Sequence, residues 1–307
     1  MTETMKHAYV FPGQGAQAVG MGKDLYDNVP EAKALFEQAN EILGFRITDI
    51  MFAGTDEELK QTKVTQPAVF LHSVIMAKAL GVKPDAVAGH SLGEFSALVV
   101  AGALSFEDGL RLVSKRAMAM QKACEATPST MAAVLALPDE KVEEICASIE
   151  GEVVVCANYN CPGQIVITGA ADAVGEAGDA CKEAGAKRVV PLKVSGPFHS
   201  ALLAEAGKKL GEALEDVTIQ PITIPYLTNV TADYVKDPAD VKDYLVRQVS
   251  SSVRWQQTIE RLIADGAEEF VEIGPGRSLS GFMRKINRDV TTCNIDKMED
   301  FNKYVNR

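Results

Sequence analysis

One pentapeptide, Gly89-His90-Ser91-Leu92-Gly93, constrains this chain more than any other segment, because it separates two apolar runs of different character. Ala86-Val87-Ala88 reads as the end of a buried strand, and Leu92 to Leu104 (LGEFSALVVAGAL) reads as an apolar helix. A G-x-S-x-G segment between a strand and a helix is a tight turn with the serine at its tip, and glycines on both sides let it tighten. Such a turn pushes the Ser91 hydroxyl out of the sheet and aims the first helix amides at any oxyanion formed beside it. The geometry suits acyl transfer.

The elements around this turn alternate in the manner of an α/β fold. AYVF (8–11) reads as a strand and is followed by the loop FPGQGAQAVG, with glycines at 13, 15 and 20. That loop fits neither the G-x-G-x-x-G nor the G-x-x-x-x-G-K-[ST] fingerprint, which argues against a nucleotide site. Helical patterns at 30–43, 55–60 and 66–80 lead to the strand before Ser91, the order expected of parallel strands covered by helices. From 129 the units shorten: strand MAAVLAL, helix PDEKVEEICASI, strand VVVCAN, strand GQIVITG, helix ADAVGEAGDACKEAG and strand AKRVVPL. This βαββαβ order is ferredoxin-like. Helices at 200–215, 238–248 and 253–265 and strands at 222–227 and 268–273 complete the chain. The expected fold is a large α/β-hydrolase-like domain with a parallel sheet (1–128 and 196–307), interrupted by a small ferredoxin-like βαββαβ subdomain (129–195). A cleft between the two would be lined by Ser91 and by the segment just after the insert.

Composition narrows the function. With 307 residues, 47% hydrophobic and 24% charged, the chain is long enough for a large core and ordinary for a soluble protein. MTETMKHAYV lacks the basic-then-apolar order of a signal peptide, and no apolar run approaches the ~18 residues that cross a bilayer, so a cytoplasmic protein without a membrane partner is expected. The net charge of -11 argues against nucleic acid and for small metabolites, or for proteins that meet a local basic patch. Six cysteines (124, 146, 156, 161, 181 and 293) form no C-x-x-C pair and stand at no ligand spacing from a histidine, which points to free thiols and no metal. Cys156 and Cys161 read as flanking a turn-like segment.

A serine nucleophile needs a base, and the chain has four histidines. His90 adjoins Ser91 in the strained turn and points elsewhere, His72 falls in an apolar helical pattern, and His7 precedes the first strand. His199 remains, in GPFHS, where the Gly-Pro pair holds an extended entry at the cleft. No acid follows it until Glu205, so its orienting group comes from elsewhere, and a backbone carbonyl can serve. Arg116, in the helical run LRLVSKRAMAMQKA, shares a stripe with Leu112, Val113 and Met120. Two readings stand: an ion pair with a protein carboxylate or a snorkelled stem, and a bidentate clamp on a substrate carboxylate.

Taken in order, FPGQGAQ (11–17), TQPA (65–68), GHSLGE (89–94), Arg116, NYNCPGQIVITG (158–169), GPFHS (196–200), VRW and EIGPG (272–276) resemble the malonyl-CoA:acyl-carrier-protein transacylases, kin of polyketide synthase acyltransferase domains. The resemblance spans the whole chain. It implies a ping-pong transfer in which Ser91 accepts malonyl from malonyl-CoA and passes it to the phosphopantetheine thiol of acyl carrier protein, with His199 as base and acid. It also implies that the main-chain carbonyl of Gln248 holds His199, that the N–H groups of Gln14 and Leu92 form the oxyanion hole, and that Arg116 pairs with the malonyl carboxylate. Asn158 and Asn160 line the cleft, Met120 and Phe198 belong to the substrate pocket, and Phe198 matches the malonyl-type pattern. No cofactor or metal and a monomeric state are expected. Ser252 and Ala16 depart from the family's usual proline and serine, away from any reacting group. An acidic carrier needs a basic docking face, which Arg277, Arg284, Lys285 and Arg288, spaced along a helical pattern, would supply; an ordinary solvated helix face is the rival reading. A thioester hydrolase and a non-catalytic docking module are the rival functions. Arg116 and the missing acid weigh against the first, and the intact Ser, His and Arg against the second.

Overall fold

The computed structural model describes residues 6–194 and 196–307. Ser195, where the sequence places the end of the insert, and residues 1–5 of the segment read for a leader lie outside the described residues.

The first strand, β1 (His7–Phe11), buries its four apolar residues on both faces, as a central parallel strand does. Five helices follow: α1 (Lys23–Asn28), α2 (Pro30–Leu43), α3 (Ile47–Ala53), α4 (Asp56–Lys60) and α5 (Thr62–Leu80). Next come β2 (Ala86–Gly89), α6 (Gly93–Val100) and α7 (Phe106–Ala126). The short units are β3 (Ser129–Leu135), α8 (Asp139–Ser148), β4 (Val154–Cys161), β5 (Gln164–Ala170), α9 (Ala171–Glu183) and β6 (Arg188–Pro191). The chain closes with α10 (Ala204–Leu214), α11 (Pro238–Val249), α12 (Trp255–Ala264), β7 (Glu269–Ile273), α13 (Ser278–Ile286), β8 (Thr291–Ile295) and α14 (Met298–Val305).

Two sheets result. One is parallel, in the order β2-β1-β7-β8; the other is antiparallel, in the order β4-β5-β3-β6, which is the ferredoxin-like arrangement expected from the βαββαβ pattern. Alternation along β3 explains how the small sheet is covered. Ala132 and Val134 face a core shared with Ile145, Ile167 and Val174 of α8, β5 and α9, while Met131 and Ala133 join the large core. The fold is thus mixed α/β, with each sheet buried by helices.

The register of the parallel sheet positions the site. Phe11 lies opposite Gly89, so the loop after β1 and the turn after β2 leave the sheet side by side at its carboxyl edge. They touch through backbone: a Cβ on Gly93 would stand 2.1 Å from the Phe11 carbonyl, and one on Gly13 would stand 2.6 Å from the His90 carbonyl. Glycine at 13 and 93 is what lets Gln14 approach Ser91. The small sheet is tied to the same region, because Val253 N–H donates to the Ala157 carbonyl (2.7 Å) and Tyr159 N–H to the Val253 carbonyl (2.9 Å).

Several local expectations are corrected. Residues 222–227 form no strand; Pro225 removes an N–H donor from the middle of the segment, and only Tyr226 bridges β2, opposite Val87. The helix expected over 92–104 ends at Val100, and the chain turns through Gly102, at φ 79°, into α7. The helix expected from 253 begins at Trp255. Cys156 and Cys161 flank no turn; both belong to β4, which is irregular between them, and the turn follows at Pro162 and Gly163. The pattern reading also missed α1, α3, β8 and α14. Among the described residues, no helix is long and apolar enough to cross a membrane.

Candidate active site

Ser91 sits at the tip of the β2–α6 turn with φ 52°, a left-handed conformation that a residue bearing a side chain adopts only when its surroundings enforce it. Three hydrogen bonds do so. Ser91 N–H donates to Asn229 Oδ1 (2.8 Å), Asn229 Nδ2 donates to the Gly89 carbonyl (2.6 Å), and Gln248 Nε2 donates to the Ser91 carbonyl (2.8 Å). His199, in the GPFHS turn, is left-handed too, with φ 59°. That turn is braced by Ser200 Oγ–H, which donates to the Pro197 carbonyl at 2.6 Å.

The two strained residues meet. Ser91 Oγ lies 2.8 Å from His199 Nε2, and His199 Nδ1 faces the main-chain carbonyls of Gln248 (2.9 Å) and Ser251 (3.1 Å). Two acceptors at Nδ1 place the proton there, so Nε2 accepts from the Ser91 hydroxyl. Burial pushes the His199 pKa down to about 3, with the positive charge of Arg116 as the next cause; the two carbonyls push the other way and are outweighed. The ring is therefore a neutral base. Among the described residues no acid stands behind it, and the two carbonyls take that place.

Arg116, on α7, is 1% exposed, which excludes a snorkelled stem. Its partners are neutral: Nη1 donates to Gln66 Oε1 (2.7 Å), and Nη2 donates to Gln248 Oε1 (2.9 Å) and Ser91 Oγ (3.3 Å). Its Nε has no partner among the described residues, and the guanidinium lies 5.6 Å from the Phe95 ring centroid. No carboxylate among the described residues is within ion-pair distance, so the protein ion pair left open by the sequence is not formed. Burial lowers the Arg116 pKa to about 10, while the Glu94 carboxylate opposes that shift. A buried cation held by amide oxygens beside a serine is prepared for an anion from outside.

A cleft of about 600 Å³ opens next to this cluster, lined among others by Gln14, His90, Asn158, Asn160, Val166 and Phe282. Ser91 is half-buried and adjoins the wall formed by Gly13, Gln14 and His90. His90 points away from Ser91, as the elimination requires. Its Nε2 lies 2.8 Å from Asn160 Oδ1 and 3.4 Å from Asn158 Nδ2, and its ring packs 5.5 Å from Trp255. Asn158 and Asn160 thus meet the large sheet's turn from β4. The N–H groups of Gln14 and Leu92 carry no hydrogen bond among the described residues, and the Gln14 side chain is anchored on Thr62 (3.1 Å). Met120, one turn after Arg116, and Phe198, beside His199, are both buried.

The proposed basic row is only partly formed. Arg277, Arg284, Lys285 and Arg288 are all exposed, but Arg277 caps α13 and Arg288 lies past its end, because Asn287 is extended at φ -155°. Arg284 and Lys285 alone share the helix, close to Phe282 on the cleft wall. Reasoning from pattern overlooked three residues of the cluster: Gln66, Glu94 and Asn229. The first two stand inside TQPA and GHSLGE; Asn229 gives no local signal.

Fold and site are those of an acyltransferase. Residues 8–295 match the family model for the acyl transferase domain. The malonyl CoA-acyl carrier protein transacylase of Bacillus subtilis (strain 168) is 46% identical over 96% of this chain and 94% of that protein. The crystal structure of an acyl carrier protein S-malonyltransferase from Vibrio cholerae superposes with a TM-score of 0.94, at 40% identity, over 97% of this chain and 99% of that one. A malonyl-transacylase solved in complex with its type II PKS acyl-carrier protein superposes with a TM-score of 0.95 at 37% identity, over 98% of this chain and 99% of that one. The chain belongs to the malonyl CoA-acyl carrier protein transacylase family.

The buried neutral imidazole has a consequence for stability. Above the ordinary value of 6.5 both the folded and unfolded forms are neutral at His199; below it the unfolded chain takes up a proton that the folded ring refuses until about pH 3, so stability is lost as pH falls through that window. His72 and His90 shift in the same direction. Between pH 7 and pH 5 the parent should lose up to about 2 kcal/mol more unfolding free energy than His199→Gln. Denaturant titrations at the two pH values check this, and equal losses would mean that the folded ring titrates normally.

Proposed function

We propose that the chain transfers the malonyl group of malonyl-CoA to the phosphopantetheine thiol of an acyl carrier protein, through a malonyl ester on Ser91. The observation that carries this reading is the shared position of Ser91 Oγ, 2.8 Å from a neutral imidazole nitrogen and 3.3 Å from a guanidinium with no carboxylate partner. His199 Nε2 takes the hydroxyl proton as Oγ attacks the thioester carbonyl. The oxyanion is met by the N–H groups of Gln14 and Leu92, and Arg116 pairs with the malonyl carboxylate. The C–S bond breaks, the CoA thiolate leaves with the proton from His199, and the ester remains. In the second half the phosphopantetheine thiol gives its proton to His199 and attacks the ester, and Ser91 Oγ recovers the proton. These steps call on no metal or cofactor. The names of the relatives support malonyl-CoA and a carrier protein as substrates. We further take 129–195 as the small subdomain that brings Asn158 and Asn160 over the thioester arm, with 1–128 and 196–307 as the catalytic body.

Intact-mass spectrometry tests the ester. Exposure to malonyl-CoA should add one malonyl group that maps to Ser91 and leaves when carrier protein is added; Ser91→Ala should take up none while keeping its thermal midpoint. An adduct on Ser91→Ala would sink the mechanism.

Arg116 sets the acyl preference. Its removal should cost malonyl transfer roughly 2 to 5 kcal/mol, as for a truncated buried charge pair, while acetyl transfer, which lacks the second carboxylate, holds or improves. Arg116→Ala assayed with both thioesters decides it, since equal losses would make Arg116 structural.

Carrier docking is assigned to Arg284 and Lys285, exposed beside the cleft wall. Reversing both to glutamate should raise the KM for carrier protein and leave that for malonyl-CoA unchanged. No change, or equal changes, removes this face from the docking site.

A further inference from the structure

The cluster contains a second buried charge that touches neither serine nor histidine. Glu94, one residue beyond the elbow glycine, is fully buried at the start of α6. Its Oε1 accepts from the Tyr226 hydroxyl (2.5 Å) and the Asn229 N–H (3.1 Å), and its Oε2 accepts from Gln248 Nε2 (2.5 Å). Asn229 N–H and Gln248 Nε2 can only donate, one to each oxygen, so position 94 must offer an acceptor at both.

Gln248 carries the consequence. Its amide nitrogen is committed to Glu94 and to the Ser91 carbonyl (2.8 Å), which turns its oxygen towards Arg116 Nη2 (2.9 Å). Its main-chain carbonyl independently holds His199 Nδ1. An amide has no internal preference between its two orientations; a carboxylate beside one end supplies it. The reversed orientation would set an NH2 against the guanidinium and an oxygen against the Ser91 carbonyl.

We propose that Glu94 is a positioning residue for acyl selectivity: by fixing the orientation of the Gln248 amide, it holds the Arg116 guanidinium where the substrate carboxylate is met. The proposal rests on the reading of Arg116 as the malonyl clamp. Glu94 contacts no reacting atom and acts through Gln248. Glu94→Gln has the same shape but brings a donor to one of the two positions where only an acceptor fits. The Gln248 amide then turns or the guanidinium shifts, and Arg116 loses its Gln248 contact, keeping Gln66 and the longer contact to Ser91 Oγ.

The test compares Ser91 acylation by malonyl-CoA and acetyl-CoA in the full chain, for Glu94→Gln, Gln248→Met, the double variant and Arg116→Ala. Gln248→Met removes the side-chain amide and keeps the main-chain carbonyl on His199. Each single variant should lower the malonyl-to-acetyl ratio of kcat/KM at least tenfold, and the double variant should lower it no further than the worse single one, since both break one relay. A ratio unchanged in Glu94→Gln while Arg116→Ala collapses it overturns the proposal and leaves the clamp standing. A ratio unchanged in Arg116→Ala overturns the clamp and the proposal with it. Multiplying effects in the double variant overturn the relay. Should Glu94→Gln fail to fold, Gln248→Met carries the test alone: an unchanged ratio there is equally fatal.

Discussion

The left-handed turn at Ser91 is the constraint on which the rest of the structure depends. Non-glycine residues pay about 1 to 3 kcal/mol for such a backbone, and the strain persists only where neighbours over-determine it. Here the neighbours come from distant parts of the chain: Asn229 holds Ser91 N–H and the Gly89 carbonyl, and Gln248 holds the Ser91 carbonyl. Asn229 and Gln248 in turn converge on Glu94. The parallel pairing of β1 and β2 then delivers the Gln14 loop to the same point, where glycine at 13 and 93 removes the Cβ atoms that would collide. One strained residue thus recruits the carboxyl edge of a sheet, the end of α11 and the loop before α11 that carries Asn229.

Charge in the cluster is distributed unusually. Arg116 is buried beside a neutral histidine, and its stabilising contacts are amide oxygens and an aromatic face rather than a carboxylate in contact. A buried guanidinium without a contacting anion is costly, and the cost is offset here by hydrogen bonds and by Glu94 one layer further away. Placing the carboxylate behind Gln248 leaves the face towards Ser91 free. A direct ion pair would satisfy Arg116 better and occupy the donors an incoming anion needs.

Legibility in the sequence followed the range of the interactions. The elbow was readable because strand, glycines and helix are contiguous, and the ferredoxin-like order was readable because its short units change period in succession. His199 emerged by elimination among four histidines, which works only in a histidine-poor chain. The carbonyl of Gln248 required the resemblance, since nothing local marks a main-chain acceptor. Asn229 was not readable at all: it lies 138 residues from Ser91, and its partners exist only in the fold. Residues 222–227 misled because apolar residues outweighed Pro225 in the pattern, and the edge strand β8 and helix α14 were missed because both are short and only half-buried.

A base held by carbonyls differs from one held by a carboxylate in what happens after proton transfer. On the proposed reading, once His199 Nε2 takes the Ser91 proton the ring is cationic, and its fixed surroundings among the described residues are two carbonyl dipoles, a second cation at Arg116 and no contacting anion. Burial and Arg116 both oppose that state. On the proposed reading the missing negative charge arrives with the acyl group, as the carboxylate on Arg116 and as the oxyanion at Gln14 and Leu92. An acyl group without the carboxylate neutralises only part of the site. Selectivity is then exerted in the transition state as well as in binding, because the same carboxylate that anchors the substrate also relieves the repulsion between Arg116 and the imidazolium.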